Sequence, residues 1–193
     1  MLAVGDDAHR REPTLEYLSV LARTAEALGF EAVLTPTGTW CEDSWISTAA
    51  LIRETTRLRF MVAFRPGSIT PTLAAQMAAT FQRHSGGRAL LNVVTGGDAG
   101  EQRRFGDHLS HDERYARTDE FLAIVRGAWS GEPFDFHGAH YEVEGATTRI
   151  APDPAPEIHF GGASSAAEAV AARRADVYLT WGEPPDQVVP RIE

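Results

Sequence analysis

Ile158-His159-Phe160-Gly161-Gly162-Ala163-Ser164-Ser165 passes from an apolar run through two glycines into an alanine-rich segment. That order builds a phosphate seat. The glycines let a ligand approach the backbone closely. A helix starting at Ser164 presents free N–H groups and the positive end of its dipole. The same residues also read as a tight turn with Ser164 as an ordinary N-cap. Spacing alone leaves both readings open.

His111 and Tyr115 are four residues apart in His111-Asp112-Glu113-Arg114-Tyr115. On a helix they share one face and offer two hydrogen-bonding groups to a ligand. The competing reading is a charged first turn capped by Ser110 or Asp112. His108 and His111 resemble a metal pair, but no further ligand set accompanies them and no metal site is expected. Asn92-Val93-Val94-Thr95-Gly96-Gly97 ends an apolar run, and polar side chains at such strand ends tend to line ligand sites in α/β proteins. Cys41, in Pro36-Thr37-Gly38-Thr39-Trp40-Cys41-Glu42-Asp43, is either a reactive thiol or a small inert side chain. Its acidic neighbours do not favour a thiolate. Trp181, in Thr180-Trp181-Gly182-Glu183-Pro184-Pro185, walls a pocket or fills a core. There is no G-x-S-x-G elbow, no Walker loop and no G-x-G-x-x-G.

These groups need elements to position them. Apolar positions at Leu15, Leu18, Leu21, Ala22, Ala25 and Leu28 make one face of a helix over 13–29, with Gly29 as its stop. Short apolar strands follow at Glu31–Pro36, Leu58–Phe64, Ala89–Thr95, Glu157–Phe160 and Asp176–Thr180. Helices are expected at 43–54, from Thr70-Pro71 to about His84, at 112–129 and at Ser164–Arg174. Residues 98–110 read as a loop. Phe134–Val143 reads as a hairpin turning at His137-Gly138. Strands that alternate with helices, each nearly unbroken in apolar character, predict a parallel α/β sheet covered on both faces. Pattern does not separate an open doubly wound sheet from a closed barrel.

Composition narrows the setting. The 193 residues carry a net charge of -9, which argues against a nucleic-acid partner. No apolar run approaches membrane-spanning length, so no membrane is expected. The N-terminus lacks the order of a signal peptide, and a single cysteine fits a reducing, cytoplasmic setting.

Taken in order, these segments resemble the flavin-dependent, luciferase-like monooxygenases, and within them the alkanesulfonate monooxygenases. The resemblance rests on PTGTWCED at 36–43, VAFRPGSITPTLAAQMAATFQRHSGGRALLNVVTGGD at 62–98, HDERYARTDEFL at 111–122, FHGAHYEVEGA at 136–146, FGGASS at 160–165 and ADVYLTWGEPP at 175–185. It covers nearly the whole chain from about residue 13.

The resemblance implies a TIM-like (β/α)₈ barrel. It implies reduced FMN (FMNH2) as cofactor, supplied by a separate NAD(P)H-dependent flavin reductase, with O2 as co-substrate. Alkanesulfonates would be cleaved to an aldehyde and sulfite. Carried over residue by residue, Gly162, Ala163 and Ser164 belong to the FMN phosphate seat. His111, Tyr115, Asn92 and Thr95 lie at the flavin, Cys41 is placed at the catalytic centre, and Trp181 is on the substrate-pocket wall. Ala163 stands where the family pattern has a serine. A complete barrel of this type needs about 250 residues. The chain is therefore expected to be a single, incomplete barrel domain over 1–193, holding about strands 2–6 and lacking strands 1, 7 and 8. The histidine and arginines that the family uses on its sulfonate would lie in the missing part. The alternative expectation is a non-catalytic remnant that binds flavin or depends on a partner. Open sheet edges predict poor solubility unless another chain completes the sheet. A full-length protein of this kind is expected to be a homo-oligomer.

Overall fold

The computed structural model describes residues 11–180, 182 and 184–192. Five parallel strands form one sheet in the order β1-β2-β3-β6-β7, and β4 and β5 form a separate antiparallel pair. The strands are β1 (Ala32–Thr35), β2 (Arg59–Phe64), β3 (Ala89–Val93), β4 (Phe134–His137), β5 (Glu142–Ala146), β6 (Glu157–Gly161) and β7 (Val177–Leu179). The helices are α1 (Leu15–Ala27), α2 (Ser44–Leu51), α3 (Pro71–Ser85), α4 (Ala99–Arg104), α5 (His111–Ala128), α6 (Ser165–Arg174) and α7 (Pro185–Ile192).

The sheet order answers the question that hydrophobic pattern left open. Each core strand pairs with the next core strand along the chain, and the order never reverses. Right-handed crossovers in one direction put their helices on one face, as in a (β/α) barrel, whereas a doubly wound sheet needs a reversal. The molecule is accordingly an α/β arc of barrel type, not a sheet with helices on both faces. Among the described residues, β1 and β7 each pair on one side only.

Alternation along the strands separates the two faces. Phe60, Val62, Phe64, Leu91, Val93, Ile158 and Phe160 pack into the core with Ala74, Ala75, Ala78, Phe81, Phe121, Leu122 and Ala167 from the helices. Fully burying one such large apolar side chain contributes about 1.5–3 kcal/mol. The intervening positions form cross-strand layers on the other face. Leu34, Met61, Leu90 and Glu157 follow one another in register, as do Ala63, Asn92, His159 and Val177. Arg59 reaches across β3 to Glu157 at 3.0 Å.

Side chains bolt the N-terminal rim of the sheet. The Glu26 carboxylate accepts from Thr56 N, Arg57 N and Leu58 N at 2.9, 2.5 and 2.9 Å, just before β2. Arg88, 9% exposed, donates to Ser85 O, Thr55 Oγ1, Leu58 O and Ile52 O over 2.6–3.0 Å. Asp176 accepts from Ile158 N at 2.8 Å and pairs with Arg126.

Helix starts follow local chemistry. Thr14, Asp43, Asp98 and Ser164 cap their helices with side-chain oxygens. α3 begins with Pro71 after Thr70, whose hydroxyl makes no cap bond. Two helices depart from the expectation. Residues 98–110 are not all loop, because Asp98 caps α4 and Gln102 is buried against Thr95 O at 3.2 Å. α7 lies where no element was expected. The hairpin was expected to end at Val143, but its second strand runs to Ala146. It docks on α5 through the Glu120 carboxylate, which accepts from Ala139 N, His140 N and Tyr141 N at 2.8, 2.9 and 3.0 Å.

Candidate functional site

The C-terminal ends of the core strands open onto a cavity of about 590 Å³. Its wall includes Asn92 near the end of β3 and Thr95 just after it, His111 and Tyr115 on α5, and Gly161–Ser164 from the end of β6 onward. Leu34, Trp40, Arg65, Leu179 and Thr180 complete much of the rest. Seven residues singled out in the sequence therefore meet at one place: Asn92, Thr95, His111, Tyr115, Gly162, Ala163 and Ser164.

The glycine turn is shaped by close contacts. Gly162 has φ +151°, a conformation that side chains disfavour. A Cβ there would stand 2.6 Å from Ala167 Cβ and 3.0 Å from the Tyr115 hydroxyl oxygen. The Gly162 carbonyl accepts from the Tyr178 hydroxyl, which ties the turn to β7. Ser164 Oγ accepts from Ala167 N at 3.2 Å, so it is an N-cap. Its O–H remains a donor, and the first turn of α6 keeps unpaired N–H groups. Capping and anion binding are thus compatible at this residue, not alternatives.

The same holds at α5. Ser110 and Glu113 form a reciprocal capping box that starts the helix at His111. That start puts His111 and Tyr115 on one face with ring centroids 4.8 Å apart. Tyr115 is 9% exposed and stands edge-on to Phe160 at 6.1 Å, while the half-exposed His111 contacts Asp112 at 2.7 Å. Arg114 donates to Leu109 O and Gly96 O and holds the loop after β3 against α5.

Thr95 is buried, and its Oγ1 has no partner among the described residues. A buried hydroxyl on a cavity wall without a partner is the kind of group a ligand satisfies. Together with the Gly162 turn, where a side chain has no room, this fits a phosphate-bearing cofactor. The α6 N-terminus, Gly162, Ala163 and Ser164 would hold the phosphate. Asn92, Thr95, His111 and Tyr115 would bound the ring system.

Cys41 sits beside the cavity. Its neighbours Thr37 and Trp40 line the wall, while its thiol turns toward Pro36 O at 3.6 Å and Gly38 O at 3.5 Å. Burial pushes the thiol pKa up, and the Glu101 carboxylate adds to that, so the neutral thiol is favoured. Trp181 lies outside the described residues.

Sequence reasoning missed Arg65. It follows β2 directly, is 7% exposed, and pairs with Glu101 at 2.6 Å. Its position just past a strand's C-terminal end was the available signal.

The model of the luciferase-like monooxygenase family matches residues 1–193. The chain belongs to the luciferase-like monooxygenases. Solved structures agree on the fold. The EDTA monooxygenase of Chelativorans sp. BNC1 is 22% identical, with a TM-score of 0.77, over 85% of this chain and 48% of its own. Riboflavin lyase, solved with modified FMN and substrate riboflavin, is 23% identical, with a TM-score of 0.82, over 93% and 50%. The coenzyme F420-dependent tetrahydromethanopterin reductase of Methanopyrus kandleri is 18% identical, with a TM-score of 0.80, over 93% and 57%. This luciferase-like chain spans about half the length of the solved structures it matches. Among its described residues, no helix is long and apolar enough to cross a membrane.

Proposed function

We propose that the chain carries the flavin site of an FMNH2- and O2-dependent monooxygenase that desulfonates alkanesulfonates. One observation carries the reading. The Gly162 turn, Ser164 at the start of α6 and Thr95, whose buried hydroxyl is unpartnered among the described residues, line one cavity with His111 and Tyr115. The sulfonate substrate is favoured by the NVVTGGD and YLTWGEPP stretches.

Reduced FMN would supply the two electrons that let O2 react. Overall, the C–S bond breaks and sulfite leaves. One oxygen atom of O2 becomes the aldehyde oxygen and the other leaves as water. The chain's residues bind and orient. The α6 N-terminus and the Ser164 O–H would hold a phosphate dianion. Asn92 and Thr95 would fix the ring system at the end of β3. The Tyr115 ring shields that end from water together with Phe160. A separate NAD(P)H-dependent reductase would supply the reduced flavin, and a homo-oligomer is the expected assembly.

Anaerobic titration with reduced FMN, followed by flavin fluorescence, tests the site. Submicromolar to micromolar binding supports it, and no binding at millimolar flavin overturns it. Sulfite release from straight-chain alkanesulfonates, with a flavin reductase present, tests the reaction. A second reading is a flavin-binding unit that acts only with a partner. Among the described residues β1 and β7 each pair on one side only, which favours it. Flavin binding without sulfite release would select this second reading.

A further inference from the structure

The cavity wall contains a buried cation with more donors than partners. Arg65 is 7% exposed and lines the cavity at the end of β2. Its Nη2 donates to Glu101 Oε2 at 2.6 Å. Its Nε and Nη1 are buried with no hydrogen-bond partner among the described residues. The Phe105 ring faces the guanidinium, with its centroid 5.4 Å from Cζ. No other arginine lines this cavity among the described residues.

A buried guanidinium with bare N–H groups is costly, because each unmade bond leaves a desolvated donor. The arrangement is nevertheless held in place. Glu101 Oε1 accepts from Thr39 N at 3.1 Å while Oε2 takes Arg65. One carboxylate thus joins α4, the loop after β1 and the end of β2. Glu101 uses a single Nη2 proton, so one edge of the guanidinium is left for a second oxyanion. The planar fork suits sulfonate and carboxylate oxygens. Leu34, Trp40 and Leu179 supply apolar wall for a hydrocarbon tail.

We propose that Arg65 receives the anionic head group of an amphiphilic organic substrate, a sulfonate or a carboxylate, and that Glu101 is its positioning residue. The proposal deepens the monooxygenase reading and rests on it for the choice of cavity. In it, Arg65 contacts substrate, and Glu101 acts only through Arg65 and the Thr39 loop.

The test is calorimetric titration of the full chain, with and without FMN, by 1-octanesulfonate, octanoate and octan-1-ol. Arg65→Gln should weaken at least one anion roughly tenfold or more and leave octanol unchanged. Glu101→Gln keeps one acceptor oxygen, which can stay with Arg65 at the cost of the Thr39 N bond, and removes the compensating charge. It should tighten the same anion about threefold or more. A merely structural pair predicts the opposite for Glu101→Gln, with all three probes weakened together. Equal losses for anions and octanol, or anion binding that neither variant changes, overturns the proposal. So does a wild-type chain that binds none of the probes, or octanol alone. If octanesulfonate binds and neither anion needs Arg65, the proposal falls and the sulfonate reading stands. If only octanoate binds, and needs Arg65, the proposal stands and the sulfonate reading falls.

Discussion

A Cβ on Gly162 would meet the Cβ of Ala167 at 2.6 Å. The turn after β6 and the first turn of α6 therefore approach as closely as a glycine permits, with the Tyr115 hydroxyl closing the third side. Gly162→Ala must also adopt φ near +151°. It should lose about 1–3 kcal/mol of stability. Flavin affinity should fall by more than the folded fraction does. Urea unfolding and flavin titration on the same preparation check this. Unchanged affinity would remove the turn from the phosphate site.

Thr95 gives the complementary experiment. Among the described residues its buried Oγ1 has no partner. Replacing it with valine therefore breaks no protein hydrogen bond, and Thr95→Val should leave the unfolding midpoint unchanged or raise it. If the hydroxyl serves a ligand, flavin binding should weaken roughly tenfold. A loss of stability without a loss of affinity would assign Thr95 to the fold.

Glu26 sets an acid limit on the N-terminal rim. The Arg57 N–H, with those of Leu58 and Thr56, holds its pKa at about 2 instead of 4.5. The folded pKa lies below the unfolded one, so its contribution is present above about pH 4.5 and is lost as pH falls toward about 2. Glu26→Gln should therefore be less stable than wild type at neutral pH, and the gap should close across that window. Denaturant midpoints between pH 2 and 7 would show it. A gap independent of pH would mean that the carboxylate charge is irrelevant.

Arg88 donates to three backbone carbonyls and the Thr55 hydroxyl from a 9% exposed position. An ammonium cannot reproduce that planar set of donors. Arg88→Lys should lose more than about 2 kcal/mol in urea unfolding. Flavin affinity per folded molecule should stay at the wild-type value. A parallel loss of affinity would show that the two rims are coupled.

Hydrophobic pattern located the five parallel strands because each is short, apolar and bounded by glycine or polar residues. It could not tell barrel from doubly wound sheet, since that difference lies in strand order and not in any residue's type. α4 escaped because Asp98-Ala99-Gly100-Glu101-Gln102-Arg103-Arg104 has no apolar stripe. Its stability comes from a cap and from the distant partners Thr95, Thr39 and Arg65. At Ser164 and His111, capping and ligand readings looked exclusive in sequence. They coexist because a helix that starts at a cavity wall needs its cap there. Arg65 was overlooked because its place after a strand, the one signal it gives, does not tell how many of its donors will find partners.

The bolts at Glu26, Arg88 and Asp176 gather at one end of the sheet, and the cavity gathers at the other. Substitutions at the two ends share no side-chain partner, so their effects should add in double mutants. Under selection, such a chain can trade one ligand for another by altering the cavity end while drawing on a reserve held elsewhere. Its history of specificity and its history of thermal tolerance can then diverge.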